Sequence, residues 1–278
     1  MDQIGIITII LLAANGLMSY KGFNNSLFFD QYSFHVDRIL INKEYIRMIS
    51  SGFLHLNWMH LIFNMLTLYF FSDGFESAYG MKIYFLIYFG SLIGGNLLAL
   101  FIHKNHGDYR AAGASGAVSG LVFAAIALFP GMNLHPLFIQ IPIPSWLYGI
   151  AYVIYSIYGI KSNHDNIGHE AHLGGGIVGL LIAVGFFPEA VMQNPLPIFL
   201  ILIPSVIFIV LLIFNPNVLM LKGSFSKVQR KGTIEENYLT KQIAKRKEID
   251  HLLDKVSKGG IDSLSKREKA RLEELTKP

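Results

Sequence analysis

Gly113-Ala114-Ser115-Gly116 runs straight into Ala117-Val118-Ser119-Gly120-Leu121-Val122-Phe123-Ala124-Ala125-Ile126-Ala127-Leu128-Phe129, a stretch without a single charge. A polar loop here turns into an apolar helix that is short for a membrane crossing. Ser115 stands at that junction between residues too small to screen it, so its hydroxyl is a candidate nucleophile. The same small residues serve close helix packing, and a serine in such a helix can bond back to its own backbone. The run alone leaves both readings open.

Working outward, the chain of 278 residues is 52% hydrophobic and only 15% charged, with a mean hydropathy of +0.44. A water-soluble domain of this size is excluded, and a membrane protein is expected. Cysteine is absent, which excludes disulfides and thiolate metal sites. A bilayer core takes about 20 mostly apolar residues per helix. Such stretches recur up to Phe214, and from Lys222 onward the chain is polar and densely charged. The net charge of +4 comes largely from that tail.

Seven spans are expected. The first, Ile4 to Tyr20, is apolar enough to mimic a signal peptide but lacks a basic start. An aromatic-rich polar segment from Lys21 to Ser51 follows and reads as a surface loop at the interface. Further spans are expected at Phe53 to Phe71, Ile83 to Ile102, Ser115 to Phe129, Ile141 to Ile160, His172 to Phe187 and Leu196 to Phe214, the last kinked at Pro204. The expected class is therefore an all-α polytopic helix bundle. Residues 1–190 form its six-span core, 191–221 a seventh span, and 222–278 a basic helical tail.

In the tail, Ile249, Leu252, Leu253 and Val256 recur at helical spacing and stop at Gly259-Gly260. Ser265 with Glu268 three residues on reads as a capping box for a last short helix ending near Leu275. Lys241, Lys245, Arg246 and Lys247 make the tail a candidate contact for anionic lipid or another protein, with a solvated face as the plainer reading.

Polar side chains inside spans are expensive and tend to mark function. His55, His60 and Asn64 fall on the second span, the last two one turn apart on one face. His172 opens the sixth span, and Gly175 and Gly179 share its face. Gly116 and Gly120 repeat the small-xxx-small pattern on the fourth span, so the two helices can approach with backbones nearly touching and set His172 beside Ser115. For any one histidine, an interhelical hydrogen bond is a sufficient explanation; three polar clusters on three spans are harder to explain so. A rival set of His164, Asp165, His169, Glu170 and His172 suggests zinc. Its histidines at 169 and 172 stand three apart, however, not in the four-apart H-E-x-x-H arrangement. No cofactor, metal or nucleic acid is expected.

Arg47, the run Gly52-Phe53-Leu54-His55, His60-Leu61-Ile62-Phe63-Asn64, Glu76, Gly80, Gly113-Ala114-Ser115-Gly116, and Ala171-His172 with Gly175 and Gly179 stand in one order between Glu44 and Gly179. Together they resemble the rhomboid family of intramembrane serine proteases. The resemblance implies Ser115 as nucleophile, His172 as general base, and His60, Asn64 and the Ser115 backbone N–H as oxyanion donors. It also implies structural roles for His55, Glu76 and the glycines Gly113, Gly116, Gly175 and Gly179. Substrates would be transmembrane proteins whose helices unwind near the membrane surface, and a bacterial plasma membrane is the expected setting. Two positions depart from the commoner pattern. Ile46 stands where many members have tryptophan, and Ser119 where an aromatic ring often packs on the catalytic imidazole, so a less rigid His172 is expected.

A histidine can take the serine proton during attack near neutral pH. No carboxylate is placed to orient His172, since Glu170, two residues away, points to another side. Two other functions stay open: a catalytically inactive adaptor that binds membrane helices, and a transporter, against which the clustering of ionisable residues near one end of the spans argues. The positive-inside rule and the resemblance disagree on the side of the mouth. Lys21, Arg38, Lys43, Arg47, Lys104, Arg110 and Lys161 lie on its side and little beyond Lys82 on the other.

Overall fold

The computed structural model describes residues 5–72, 75–134, 142–162, 168–214, 248–249, 252–257, 260 and 263–276. The chain runs through α1 (Ile6–Asn24), α2 (Ser26–Tyr32), α3 (Val36–Leu40), α4 (Arg47–Ser50), α5 (Trp58–Ser72), α6 (Phe75–His103), α7 (Ser115–Leu128), α8 (Ser145–Ser162), α9 (His169–Phe186), α10 (Glu189–Gln193), α11 (Pro195–Phe214) and α12 (Lys266–Thr276). Two-residue strands pair antiparallel, β1 (Phe34–His35) with β2 (Arg110–Ala111) and β3 (Asn133–Leu134) with β4 (Ile143–Pro144). The contacts divide the chain into two compact units, residues 1–24 with 28–228, and 25–27 with 229–278.

The protein is an all-α, polytopic helical membrane protein. α1, α6, α9 and α11 are long and apolar enough to cross a bilayer by length and composition. α7, at 14 residues, spans only about 21 Å at 1.5 Å per residue. Every residue of α7 after Ser115 is buried, as a helix apolar on all sides must be. α6, α7 and α9 form the packed centre, with α5 and α8 also against α7.

Several boundaries differ from expectation. The segment 21–51 is not one surface loop: it folds into α2, α3, α4 and β1. Arg47 organises it, because its buried guanidinium donates to the Asp30 and Ser33 carbonyls and to Glu44, 2.6 Å away. The helix of the second expected span, α5, starts at Trp58, so His55 lies in the connection before it and not on the span. α6 is broken at Gly80, whose φ of 81° is one that L side chains rarely adopt. α9 begins at His169, one turn earlier than expected, which carries Glu170 onto the helix. α11 passes through Pro204 as one helix, with Ser205 donating to the Ile201 carbonyl.

The burial pattern inverts what water would produce. α1 turns Thr8, Leu11, Asn15, Ser19 and Gly22 inward and exposes Ile6, Ile9, Ile10 and Leu17. Without a hydrophobic force between helices in lipid, polar bonds and close packing do the joining. Accordingly Thr8 donates to the Tyr84 hydroxyl and Asn15 to the Tyr88 hydroxyl, both on α6. On α6 the buried positions Tyr84, Ile87, Tyr88, Ser91, Leu92, Gly95, Asn96 and Ala99 follow helical spacing on one face.

The α7–α9 contact depends on missing side chains. A Cβ on Gly179 would sit 2.5 Å from the Gly120 Cα, and one on Gly175 would be 3.1 Å from the Gly116 Cα, closer still to its carbonyl. Both helices therefore touch backbone to backbone.

In the tail unit, residues 252–257 are helical and Leu252, Leu264 and Leu275 make a small buried cluster with Ile249, Val256 and Leu272. The capping box forms reciprocally: the Ser265 N–H donates to Glu268 at 2.9 Å and the Glu268 N–H to the Ser265 hydroxyl at 3.3 Å. Lys255 lies 2.6 Å from Glu268 and, with Ser265, holds that carboxyl at a pKa of about 2. The basic cluster 241–247 and Gly259 lie outside the described residues.

Gly179→Leu should prevent a stable fold, because overpacking of 1–3 kcal/mol or more falls on backbone that cannot yield. Gly185→Ala, where a Cβ meets nothing within 4 Å, should leave the thermal midpoint in detergent unchanged or raised. In the tail, a depressed carboxyl pKa stabilises above the unfolded value, and this is lost as pH falls toward about 2. Protection factors for amides across 266–276, corrected for intrinsic exchange, should fall as pH drops from about 4.5 toward 2, and Glu268→Ala should show the lower protection already at neutral pH.

Candidate active site

Ser115 is the first residue of α7, and His172 lies one turn into α9. The glycine contact brings these two residues, 57 positions apart, to 2.7 Å between Ser115 Oγ and His172 Nε2. The first amides of a helix lack intrahelical acceptors and carry the positive end of its dipole. The Ser115 N–H is one of these.

The turn before Ser115 is held from several sides. Gly113 has φ 149° and donates its N–H to the Ser51 carbonyl at 3.0 Å. A Cβ there would lie 2.8 Å from His60 Cε1, so glycine is what lets that imidazole in beside the loop. The Ser51 turn is itself fixed by Asn96 of α6, which donates to the Met48 carbonyl at 2.8 Å and to the Ser51 hydroxyl at 3.2 Å.

His55 is fully buried and edge-on to His60, with ring centroids 4.9 Å apart. Its Nε2 accepts from the Ala114 N–H at 3.4 Å, so its proton resides on Nδ1, which donates to Ser19 of α1 at 2.9 Å. Ser19 in turn donates to the Phe53 carbonyl. His55 thus ties the first helix to the backbone immediately before Ser115.

Asn64 is buried and donates to the His60 carbonyl at 2.9 Å. An amide nitrogen has two N–H bonds, so this one leaves another. Asn64 also lines a cavity of about 130 Å³ with Ser115, Ser119, Thr67, Tyr148 and Tyr152. The cavity lies between α5, α7 and α8, and Phe63, Val118 and Val122 supply its aliphatic and phenyl lining.

The ring absent at position 119 is met from another helix. Tyr152 of α8 lies beside the His172 imidazole, centroids 6.0 Å apart and planes 23° from parallel. Ser119 is bonded to the Tyr152 hydroxyl at 2.7 Å.

Among the described residues of the zinc reading, His169, Glu170 and His172 do not gather at one point. Glu170 accepts from His103 Nε2 and from the Tyr109 hydroxyl, each at 2.6 Å, and Tyr109 stacks on His103 at 3.6 Å. His169 packs edge-on against Tyr155 of α8, and His172 faces Ser115. His164 and Asp165 lie outside the described residues.

The site's support includes residues that the sequence reading left out: Ser19, Asn96, His103, Tyr109 and Tyr152. Asn96 and Ser19 could have been suspected as polar residues within apolar spans. Tyr152 could not, since tyrosine is ordinary in a membrane helix.

A polytopic helical membrane protein with a serine–histidine pair at one end of its central helices is the class these features define. The chain belongs to the Rhomboid family: the Rhomboid domain model matches residues 42–189. A family of unknown function, DUF6576, matches residues 227–278. The chain is 26% identical over 195 residues to RHOMBOID-like protein 12, mitochondrial, of Arabidopsis thaliana, covering 65% of this chain and 57% of that protein. It is 31% identical over 153 residues to Rhomboid protein 1, mitochondrial, of Saccharomyces cerevisiae (51% and 43%). Rhomboid protease AarA of Providencia stuartii is 30% identical over 171 residues (55% and 59%). The chain thus spans about half the length of these relatives. They include mitochondrial as well as bacterial proteins and lend the bacterial plasma membrane no particular support.

Glu170→Ala should lower the thermal midpoint, because it strands the buried His103 donor and the half-buried Tyr109 hydroxyl, a loss of about 1–3 kcal/mol. Glu170→Gln, which keeps an acceptor oxygen, should recover part of it.

Proposed function

We propose that this chain is an intramembrane serine endopeptidase that cuts transmembrane protein substrates within the lipid bilayer. The observation that carries this reading is the 2.7 Å separation of Ser115 Oγ and His172 Nε2 beside a cavity. Rhomboid protease AarA, a relative named as a protease, agrees with it.

Ser115 Oγ attacks the scissile carbonyl carbon while His172 Nε2 takes its proton. The carbonyl oxygen becomes an oxyanion, met by the Ser115 N–H at the positive end of α7 and by His60 and Asn64. As the tetrahedral intermediate collapses, His172 returns the proton to the leaving amine nitrogen and the C–N bond breaks, leaving an acyl-serine. Water, deprotonated by His172, then attacks the acyl carbon and frees the carboxylate and Ser115. Glu170 takes no part, being committed to His103 and Tyr109. A transmembrane helix hides its carbonyls in its own hydrogen bonds, so cleavage favours segments with small or helix-weakening residues.

In this reading residues 1–190 carry catalysis, 191–221 add a seventh span, and 222–278 form a separate tail. The tail's partner, lipid or protein, is left open. The second reading is an inactive adaptor for membrane helices, favoured only if Ser115 proves unreactive.

Ser115→Ala and His172→Ala should each abolish cleavage of a model membrane substrate, falling by at least a thousandfold, with the protein still inserted and folded. Asn64→Ala should lower kcat by about 10- to 100-fold, somewhat less than loss of a dedicated oxyanion donor, since other donors remain. Full activity in Ser115→Ala would remove the mechanism.

A further inference from the structure

α8 presents Tyr148, Tyr152, Tyr155 and Gly159 at spacings of four, three and four, which is one helix face. That face meets both histidines at the start of α9. Tyr155 lies edge-on to His169 at 4.8 Å, and the His169 ring lies where a Cβ on Gly159 would have to go. The His172 imidazole is flanked on one side by the near-parallel Tyr152 ring and on another by the edge of His169, each with centroids 6.0 Å away.

The Tyr152 hydroxyl is tied as firmly as its ring. Ser119 Oγ gives its only proton to the Ser115 carbonyl at 2.7 Å, so at its 2.7 Å contact with Tyr152 it must accept, and the phenol donates. The chain runs Tyr152 O–H to Ser119 Oγ–H to the carbonyl of Ser115. One side chain of α8 therefore stands its ring beside the His172 imidazole and, through Ser119, ties its hydroxyl to the Ser115 carbonyl.

We propose that Tyr152 is the positioning residue for His172, setting the imidazole plane toward Ser115 Oγ, with Ser119 holding the tyrosine in register. This rests on the Ser115/His172 reading above. Small angular errors in a base are costly to rate, and a flat ring restricts rotation of the imidazole without removing its proton affinity. Because the ring comes from α8, alignment of a pair formed by α7 and α9 depends on a third helix.

Tyr152 also lines the cavity, so the test has to separate alignment from substrate contact. Two rates are measured on full-length protein in detergent: cleavage of a membrane substrate, and labelling of Ser115 by a small fluorophosphonate, which needs no substrate docking. Tyr152→Leu should lower kcat and the labelling rate together by about five- to tenfold, the scale expected for losing an aromatic pair, with KM within twofold. Tyr152→Phe, which keeps the ring without its tether, should lose only about two- to threefold in both rates, and Ser119→Ala should match it. A raised KM with an unchanged labelling rate would overturn the proposal and leave Tyr152 as a substrate contact. Should the leucine variant fail to fold, Tyr152→Phe decides: a two- to threefold loss in both rates supports the tether, and none overturns it. If wild-type protein neither labels nor loses activity in Ser115→Ala, the protease reading itself has failed, which is a different result from wild-type labelling in the Tyr152 variants.

Discussion

Two helices that touch backbone to backbone hold this protein's site together. At Gly175 and Gly179 of α9, facing Gly116 and Gly120 of α7, no side chain intervenes. Lipid offers helices no hydrophobic incentive to associate, so dispersion between closely fitted backbones must supply much of the attraction. That fit also fixes how far apart the helix ends lie. Ser115 at the start of α7 and His172 one turn into α9 reach hydrogen-bond distance because the helices beneath them can come no closer and need come no closer.

Such a contact sets separation but not orientation, and a second layer of polar bonds supplies it. His55 links Ser19 of the first helix to the amide of Ala114. Asn96 holds the 48–51 turn, and the Ser51 carbonyl receives the Gly113 amide. Arg47 gathers the carbonyls of the segment before it. These bonds sit in connections and at helix ends, where backbone groups would otherwise be left without partners in a poorly solvated setting. On the α9 side, Glu170 is fastened to His103 and Tyr109. Ser115 is thus steadied through its loop and His172 through the first turn of its helix.

Much of this was legible in one dimension. The apolar stretches marked the helices, since their period and length are local properties. Small residues at four-residue spacing marked the faces of α7 and α9, and the ordered motifs from Arg47 to Gly179 marked the family. Other features were hidden for identifiable reasons. His55 reads as part of the span because Phe53 and Leu54 are apolar, yet the chain forms a 3-10 turn over Ser51–Phe53 and the helix waits until Trp58. The polar segment 21–51 reads as a loop because its short helices, α3 and α4 with five and four residues, are too brief to leave a periodic signal and rely on Arg47 for support. Ser119 gives no sign of the ring beside His172, because that ring belongs to Tyr152, 33 residues further along the chain.

By itself the sequence determined that the chain is a membrane-embedded bundle, where its long helices lie, and which serine and histidine merit attention. These follow from hydropathy, residue size and spacing, all written along a single strand. Tertiary structure alone decided that Tyr152 would neighbour His172, that Glu170 would turn to His103 and Tyr109, and that Ser19 would reach His55 across the bundle. Each is a meeting of side chains from separate helices, set by crossing geometry and by the gaps that glycines leave, and no local pattern encodes it.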